Sequence, residues 1–289
     1  MNLKIIKNTK IWFTISITLV VAGLLLFMVK GLNYGIDFTG GTLFQLKFEK
    51  SVKLSDLNKD LKDMSAKYKE LESKKIQISE GNVVLIRTNA FEEAQKDNFL
   101  NDFKAKEGKF EILKVDKVGA TIGKELKWKA INALLIGSLL IVLYITIRFE
   151  FRFAVGAIVA LLHDLIIAVG AIALLGYEIN TPFIAAILTI LGYSINDTIV
   201  VFDRIRENIK KKSKKNIGDL IDDSINQVFT RSINTSVTTL LAILAVLIFG
   251  GASLRTFITA LLIGILSGTY SSIFVASPIV NLLEKKEAK

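Results

Sequence analysis

One carboxylate stands inside a run of apolar residues, where an acid is costly, and it is the clearest candidate for chemistry in this chain. Asp197 lies ~21 Å along a helix from Phe183, where the run opens, and ~9 Å before Asp203. Because a hydrocarbon core is ~30 Å thick, Asp197 is expected well inside it, towards the end marked by Arg204 and Arg206. An ionisable group at that depth costs at least ~2.5 kcal/mol and usually serves an ion or proton pathway. The alternative is a structural aspartate bonded to neighbouring hydroxyl groups.

A second acid follows a histidine in an earlier apolar run. His163 and Asp164 come about 15 Å after Phe153 on a helix, which places them near the membrane midplane. Histidine titrates near neutrality and can shuttle protons. Adjacent residues point ~100° apart on a helix, so the two side chains need not serve one face. A relay role and a buried imidazole bonded to a neighbouring helix both stay open.

A polar stripe runs along a later apolar segment. Its members occupy positions i, i+3, i+4, i+7 and i+8 and are Arg231, Asn234, Thr235, Thr238 and Thr239. If this helix packs antiparallel to that of Asp197, the Arg231–Thr238 portion passes at the same depth. Arg231 would then hold Asp197 ionised, and protonation would release it, which gives a two-state element. The alternative is that Arg231 extends to lipid phosphates at the membrane surface.

The composition excludes several kinds of chemistry. The 289 residues are 51% hydrophobic, with a mean hydropathy of +0.47, and the apolar residues come in blocks typical of a membrane protein. The absence of cysteine excludes disulfides and thiolate sites, and a single histidine excludes a multi-histidine metal site. We see no nucleophile–base pair and expect neither covalent catalysis nor a cofactor. The net charge of +10 clusters beside membrane spans, so nucleic-acid binding is not favoured.

Six apolar segments are long enough to cross a bilayer. They are Ile11–Val29, Ala130–Ile147, Phe153–Leu175, Phe183–Phe202, Phe229–Phe249 and one within Phe257–Leu283. The first is read as an uncleaved anchor, because no Ala-x-Ala cleavage site follows it. In the last, small residues recur at steps of four and predict close helix packing; they are Gly264, Gly268, Ser272 and Ala276.

The basic residues predict the orientation of these spans. Positive charges occupy the N-terminal tail, the turn 148–152, the loop 203–228 and the C-terminal tail, whereas the short opposite turns carry only Glu178 and Arg255. The loop is the most basic, and its lysines are Lys210, Lys211, Lys212, Lys214 and Lys215. The positive-inside rule therefore places both termini in the cytoplasm and the large segment after the first span outside.

Residues 31–129 have the pattern of a small water-soluble domain. Strands are predicted at Thr42–Phe48, Lys75–Ser79, Val83–Thr88 and Phe110–Lys117, with a hairpin turn at Glu80-Gly81-Asn82. Apolar residues spaced by three or four from Leu54 to Leu71 predict one amphipathic helix. A second helix carries Phe91, Phe99 and Phe103 and is expected to be capped by Asn89. The order β-α-β-β-α-β is that of the ferredoxin-like unit. Its charged residues form no catalytic constellation.

A glycine-rich stretch joins the first span to this domain. Gly35 and Gly40 have P-loop spacing, but Gly41 stands where the phosphate-binding lysine is required, and a strand follows instead of a helix. Nucleotide binding is therefore not favoured. We interpret the stretch as an elbow that turns the chain out of the membrane.

Four motifs together resemble the SecD/SecF family of protein-export subunits, within the resistance-nodulation-division superfamily. They are Gly35-Ile36-Asp37-Phe38-Thr39-Gly40-Gly41, His163-Asp164, Gly192–Asn208 and Arg231–Ser236. The resemblance covers essentially the whole chain. It implies an α-helical polytopic membrane protein with six transmembrane helices and a ferredoxin-like extracytoplasmic domain between helices 1 and 2. The expected divisions are 1–30 (N-terminal tail and first helix), 31–129 (external domain) and 130–289 (five-helix bundle).

The resemblance also implies a function in the bacterial cytoplasmic membrane. Driven by the proton motive force, such subunits assist the release of preproteins from the SecYEG channel after SecA has acted. Some relatives fuse two halves into twelve spans, so this shorter chain implies a separate SecD partner, with YajC as a further one. The family's proton pathway maps to Asp197 and Arg231, and we place His163, Asp164, Asn196, Thr235 and Thr238 beside them. Gly35, Asp37, Gly40 and Gly41 form the signature motif.

Two other functions remain as alternatives. The first is a proton-coupled exporter of small molecules or lipids from the same superfamily, although an external region of under 100 residues is small for a substrate cleft. The second is a passive scaffold whose polar residues only fix helix packing.

Overall fold

The computed structural model describes residues 3–79, 82–211 and 216–287. The chain forms two compact units, Tyr34–Ile131 and the remaining described residues. The helices are α1 Thr9–Lys30, α2 Ile36–Thr39, α3 Leu54–Met64, α4 Glu93–Glu107, α5 Ala120–Arg148, α6 Phe151–Leu175, α7 Thr181–Lys210, α8 Ile217–Phe249, α9 Arg255–Ser271 and α10 Ser277–Glu287. The strands are β1 Asn33–Tyr34, β2 Gly41–Phe48, β3 Lys75–Ser79, β4 Val83–Thr88, β5 Phe110–Val118 and β6 Glu178–Ile179.

Six of the described helical stretches are long and apolar enough to cross a membrane. They are Ile6–Lys30, Ala120–Arg148, Phe151–Leu175, Thr181–Lys210, Ile217–Phe249 and Arg255–Glu284. All six predicted spans are found, and each helix extends beyond the apolar run that predicted it. The extension is largest at α8, which begins at Ile217, about three turns of polar helix before the predicted span starts at Phe229. The lysines at 212, 214 and 215 lie outside the described residues.

The unit Tyr34–Ile131 contains the predicted β-α-β-β-α-β order. Its four strands form an antiparallel sheet in the order β3-β4-β2-β5, and β2 lies in the centre with Phe44 opposite Ile86 and Val115. Phe44 and Leu46 point to the helix side and are fully buried with Phe99 of α4. Burying each of these side chains contributes about 1.5–3 kcal/mol, so the apolar face of the sheet supplies most of the stability of this unit.

Two local predictions in this unit are wrong. Helix α3 ends at Met64, and a separate 3₁₀ turn, Lys69–Ser73, carries Leu71. The helix stops because Tyr68 adopts an extended backbone, which packs its ring against Phe99 and lets its hydroxyl donate to Asp102 at 2.7 Å.

The second wrong prediction concerns the start of α4. Asn89 does not cap this helix, which begins at Glu93. The backbone N–H of Asn89 donates instead to the carbonyl of Glu70, and its side-chain oxygen accepts from the hydroxyl of Ser73. In the predicted hairpin turn, Asn82 has a positive φ of 60°, and Glu80 and Gly81 lie outside the described residues.

The second unit, the described residues before Tyr34 and after Ile131, contains most of the apolar helices and is called the membrane unit. It has a core in which α6, α7 and α9 pack around one another. Phe202 of α7 is fully buried between Phe149 and Phe153, with edge-to-face ring centroids 6.0 and 5.0 Å away. In contrast, α5 and the membrane half of α8 leave most of their side chains exposed. The polar groups singled out by the sequence therefore fall into two sets, those inside the α6–α7–α9 core and those on its surface.

Candidate functional site

Asp197 lies inside the bundle and is held loosely. It is 2% exposed, and among the described residues its hydrogen-bond partners are on Oδ2: Ser236 Oγ of α8 at 3.3 Å and Thr269 Oγ1 of α9 at 3.5 Å. These distances are long for hydroxyl–carboxylate bonds, which are usually near 2.7 Å. Ser236 and Thr269 bond to each other at 2.6 Å. Three helices therefore meet at one carboxyl group whose own hydrogen bonds are weak.

Asp164 of α6 is fully buried and has four close donors. Its Oδ1 accepts from Ser267 at 2.7 Å and lies 2.9 Å from Nδ1 of His163. Its Oδ2 accepts from Ser194 at 2.6 Å and from Ser271 at 2.7 Å. Short, charge-assisted bonds of this kind are about twice as strong as neutral ones. Asp164 thus joins α6, α7 and α9 through both of its oxygens.

Two glycines of α9 make this arrangement possible. A Cβ at Gly264 would lie 2.4 Å from the side chain of Ile190, and one at Gly268 would lie 3.0 Å from Ser194 Cβ. The backbone of α9 can approach α7 this closely only without side chains at these two positions. The predicted small-residue seam is therefore an internal contact, and it brings the serines of α9 within reach of Asp164.

A π-helical segment, Ser272–Ala276, follows α9 directly. Ser277 Oγ donates to the carbonyl of Ser272, five residues earlier, and Ser272 Oγ lies 2.8 Å from Thr198 Oγ1. A π turn inserts one extra residue and so rotates the side chains that come before it relative to those after it. At its start, the adjacent residues Ser271 and Ser272 point in different directions, so Ser271 faces Asp164 and Ser272 faces Thr198.

His163 and Asp164 form one group, although the sequence left open whether they serve the same face. The ring of His163 is 5% exposed and stacks on Tyr270 with centroids 6.0 Å apart. Because a carboxylate only accepts, Nδ1 is the protonated ring nitrogen in this contact. Among the described residues, His163 Nε2 is buried without a hydrogen-bond partner.

The predicted pairing of Arg231 with Asp197 is not found. Arg231 is exposed on the surface of α8, and no ion pair or hydrogen bond joins it to Asp197 in the described chain. The reason lies in which face of α8 meets α7: Ser236 contacts Asp197, and Arg231, five residues earlier, points about 140° away around the helix. Ser232 and Ser236 form the buried face of this helix, and the stripe begun by Arg231 turns away from it.

Three more predicted site residues lie on the surface of the membrane unit. Asn196, Thr235 and Thr238 are all exposed, although Asn196 directly precedes the buried Asp197 in the chain. Tyr193 of α7 joins this surface to α8, because its hydroxyl contacts the Thr235 carbonyl and Thr239 Oγ1, both at 3.3 Å. The predicted residues thus separate into a buried group and an exposed polar face.

The glycine signature lies in the other unit. Gly40 has φ 72° and Gly41 has φ 127°, which side-chain-bearing residues rarely adopt. A Cβ would also lie 2.9 Å from Ala120 Cα at Gly40 and 2.3 Å from the Thr88 carbonyl oxygen at Gly41. Gly35 has an ordinary φ of −79°, and Asp37 lies in the short helix α2 between these glycines. The motif is a tight backbone crossing within this unit.

The sequence analysis missed five hydroxyl-bearing residues that build the buried group. They are Ser194, Ser236, Ser267, Thr269 and Ser271. One signal was available: Ser267 and Ser271 stand four residues apart in an apolar helix, which places both on one face. In the described parts of the chain, no group of three acidic or histidine side chains could hold a metal ion.

These features define a class of protein before any comparison is made: a six-span membrane protein with ionisable groups bonded inside the bundle and a small α/β unit inserted after the first span. The sequence profile described as "Protein export membrane protein SecD/SecF, C-terminal" matches residues 98–286, and that of the "SecD/SecF GG Motif" matches residues 25–52.

Individual relatives agree with these profiles. The protein translocase subunit SecF of Sebaldella termitidis is 52% identical over 286 residues, covering 99% of this chain and 93% of the relative. The protein translocase subunit SecDF of Thermus thermophilus is 43% identical over 253 residues, covering 87% of this chain and 34% of the relative. The crystal structure of Thermus SecDF superposes with a TM-score of 0.90 at 38% identity, covering 99% of this chain and 39% of that one. The chain belongs to the SecD/SecF family, and its full-length similarity is to SecF subunits.

Proposed function

We propose that this chain acts as the SecF subunit of a Sec translocase and uses the proton motive force to assist preprotein export after the SecA-driven step. Family membership supports the assignment to protein export. The observation that supports proton coupling is the buried, weakly bonded Asp197 at the junction of α7, α8 and α9. A carboxyl group with only two long contacts, both on one oxygen, gives up little hydrogen-bond energy when a proton binds.

Asp197 would couple the proton to helix position through the Ser236–Thr269 pair. An ionised carboxylate only accepts hydrogen bonds, whereas a protonated one also donates, so the two hydroxyls must reorient when the proton binds. Because Ser236 belongs to α8 and Thr269 to α9, that reorientation changes how these helices are held against α7. A proton crossing the membrane supplies ~2.3 kcal/mol per 100 mV. This exceeds the net contribution of a typical hydrogen bond, ~1 kcal/mol, so it can bias the packing of the three helices.

The exposed polar face supports a separate SecD partner. On α7 it contains Ala185, Thr189, Gly192 and Asn196, and on α8 it contains Arg231, Thr235 and Thr238. An arginine left facing lipid at this depth costs at least ~2.5 kcal/mol, so a partner bundle is expected to cover it. Small residues on α7 would let that partner approach closely. In this arrangement Arg231 meets the partner's groups, and its contribution to the proton pathway is made across the interface.

The distribution of charge supports the orientation. With both termini in the cytoplasm, the ferredoxin-like unit faces the outside, where the exported chain emerges. It would convert helix movement into contact with the preprotein. SecYEG is then the channel from which the preprotein is released, and YajC and SecA complete the set of proposed partners in the cytoplasmic membrane.

Substitution of Asp197 by asparagine tests the proposal. Export of a labelled preprotein would be measured in membrane vesicles that contain the partner subunit, with and without a proton motive force. The same change at Asp203 is the matched control, since this acid lies near the end of the same helix and pairs at the surface with Arg148 and Arg206. Asp197→Asn is expected to abolish the force-dependent part of export, and Asp203→Asn to keep it. If Asp197→Asn retained that part, proton coupling at this residue would be wrong.

A further inference from the structure

An apolar groove lies on the outer surface of the membrane unit, between α1, α6 and the end of the sixth span. Helices α1 and α6 meet at Gly23 and Gly170, where a Cβ on Gly170 would lie 2.4 Å from Gly23 Cα. Towards the start of both helices, the groove between them encloses about 340 Å³. Its α1 wall runs from Phe13 to Val21, a length of ~12 Å along the helix.

The groove presents an apolar surface that faces the bilayer. Ile17 on α1 and Leu162 on α6 are 61% and 53% exposed. Two polar residues line the groove; each makes a hydrogen bond within the protein, and the buried Nε2 of His163 has no partner among the described residues. Ser16 Oγ donates to Tyr270 at 3.2 Å, and His163 Nδ1 bonds to Asp164. An apolar chain could therefore lie along the groove without displacing these hydrogen bonds.

Basic side chains stand at the open end of the groove. Lys10 precedes Phe13 by three residues and Ile17 by seven, so it shares their face of α1. It is exposed and pairs with no acid in the described chain. On α6, Arg152 precedes Val159 by seven residues and so shares its face, although Arg152 is bonded to Glu284 and Glu150. A positive charge therefore lies directly beyond the apolar groove, at the membrane surface.

We propose that this groove binds one anionic phospholipid, with an acyl chain between α1 and α6 and its phosphate at Lys10. The apolar wall fits the chain, and the charge of Lys10 fits the headgroup. With the orientation proposed above, the lipid belongs to the cytoplasmic leaflet. A lysine near an anionic lipid surface contributes ~1 kcal/mol, so the groove would prefer an anionic over a zwitterionic lipid about fivefold.

Fluorescence quenching by brominated acyl chains tests this site. The chain has two tryptophans, and Trp128→Phe leaves only Trp12, whose carbonyl accepts from the same Tyr270 hydroxyl that Ser16 contacts. The full-length Trp128→Phe chain would be placed in nanodiscs with brominated phosphatidylglycerol or brominated phosphatidylcholine at equal mole fraction. We expect phosphatidylglycerol to quench Trp12 with about fivefold higher apparent affinity.

Two pairs of variants locate the effect. Val20→Phe fills the groove, whereas Ile15→Phe adds the same bulk on the opposite face of α1. Lys10→Gln removes the proposed phosphate contact, whereas Lys30→Gln removes a charge at the other end of the helix. The preference for phosphatidylglycerol over phosphatidylcholine should disappear in Val20→Phe and Lys10→Gln. It should persist in Ile15→Phe and Lys30→Gln. Equal quenching by the two lipids, or an unchanged preference in Val20→Phe, would overturn the proposal.

Discussion

Asp164 and Asp197 are both carboxylates buried in the same helical bundle, yet their surroundings are opposite. Asp164 receives four donors at 2.6–2.9 Å, shared between both oxygens. Asp197 has two contacts at 3.3 and 3.5 Å, both on one oxygen. The same chemical group is therefore fully hydrogen-bonded at one position and only weakly hydrogen-bonded at the other.

The difference separates a structural role from a proton-binding role. Removing the Asp164 carboxylate would leave the donors around both of its oxygens without an acceptor. Asp164 is suited to hold α6, α7 and α9 in one arrangement. A loosely bonded carboxyl loses little when it is protonated, so Asp197 is suited to exchange a proton. Burial and depth alone do not distinguish the two.

The largest expected effect is on stability at Asp164. Asp164→Asn places an amide donor against groups that already donate, so we expect a loss of ~3 kcal/mol in the free energy of unfolding. Asp197→Asn should cost no more than ~1 kcal/mol, because only long contacts change. Unfolding of the full chain in a denaturing-detergent titration measures both. Equal losses in the free energy of unfolding at the two positions would contradict the distinction drawn between Asp164 and Asp197.

Removing single donors gives a smaller and sharper test. Ser267→Ala deletes a 2.7 Å bond to Asp164 and is expected to cost ~1.5 kcal/mol, since hydrogen bonds to charged groups are strong. Ser236→Ala deletes a 3.3 Å contact to Asp197 and is expected to cost about 0.5 kcal/mol. The same unfolding titration compares them. If Ser236→Ala lowered the free energy of unfolding more than Ser267→Ala, Asp197 would be held more tightly than its distances indicate.

A third carboxyl, Glu107 in the α/β unit, extends the comparison to a group whose pKa is raised outside the membrane spans. Burial, and secondarily the neighbouring carboxyl of Asp60, raise the pKa of Glu107 from 4.5 to about 7. The folded chain therefore keeps a proton that the unfolded chain releases, and the free energy of unfolding falls as pH rises through this window. Because Glu107 is only partly buried, we expect a loss of ~1 kcal/mol.

Glu107→Gln should remove this pH dependence. The amide carries no charge at any pH in the window, so the variant is expected to be more stable than the parent chain at about pH 8 and little changed at about pH 5. Hydrogen exchange of the α3 and α4 amides in the full chain measures the effect locally. A pH dependence that persists unchanged in Glu107→Gln would assign it to another group.

The sequence predicted the elements better than it predicted their contacts. Apolar runs and alternation located the six spans and the strands, because these patterns reflect burial within one element. The Asn89 cap and the continuous helix to Leu71 were wrong because Tyr68 and Asn89 are placed by contacts with distant residues. Local propensity does not contain that information.

The candidate site shows the same limit. The depth of Asp197 in the membrane follows from its position in the apolar run. Its partners depend on which face of α8 meets α7: Ser236 lies on that face, and Arg231 does not. The hydroxyl groups around Asp164 were equally hidden, since serine is common in membrane helices for packing reasons. Arg231 is exposed on this chain, and we expect a partner subunit to cover it.

Infrared spectroscopy of the full chain with its partner in membranes tests the central claim most directly. The Glu107→Gln background removes the carboxyl of the α/β unit that titrates near neutrality. Shifting the buffer from alkaline to acidic should then produce a protonated-carboxyl band from Asp197, which Asp197→Asn should abolish while Asp203→Asn leaves it. A band that survives Asp197→Asn would show that the proton binds elsewhere and would contradict the account.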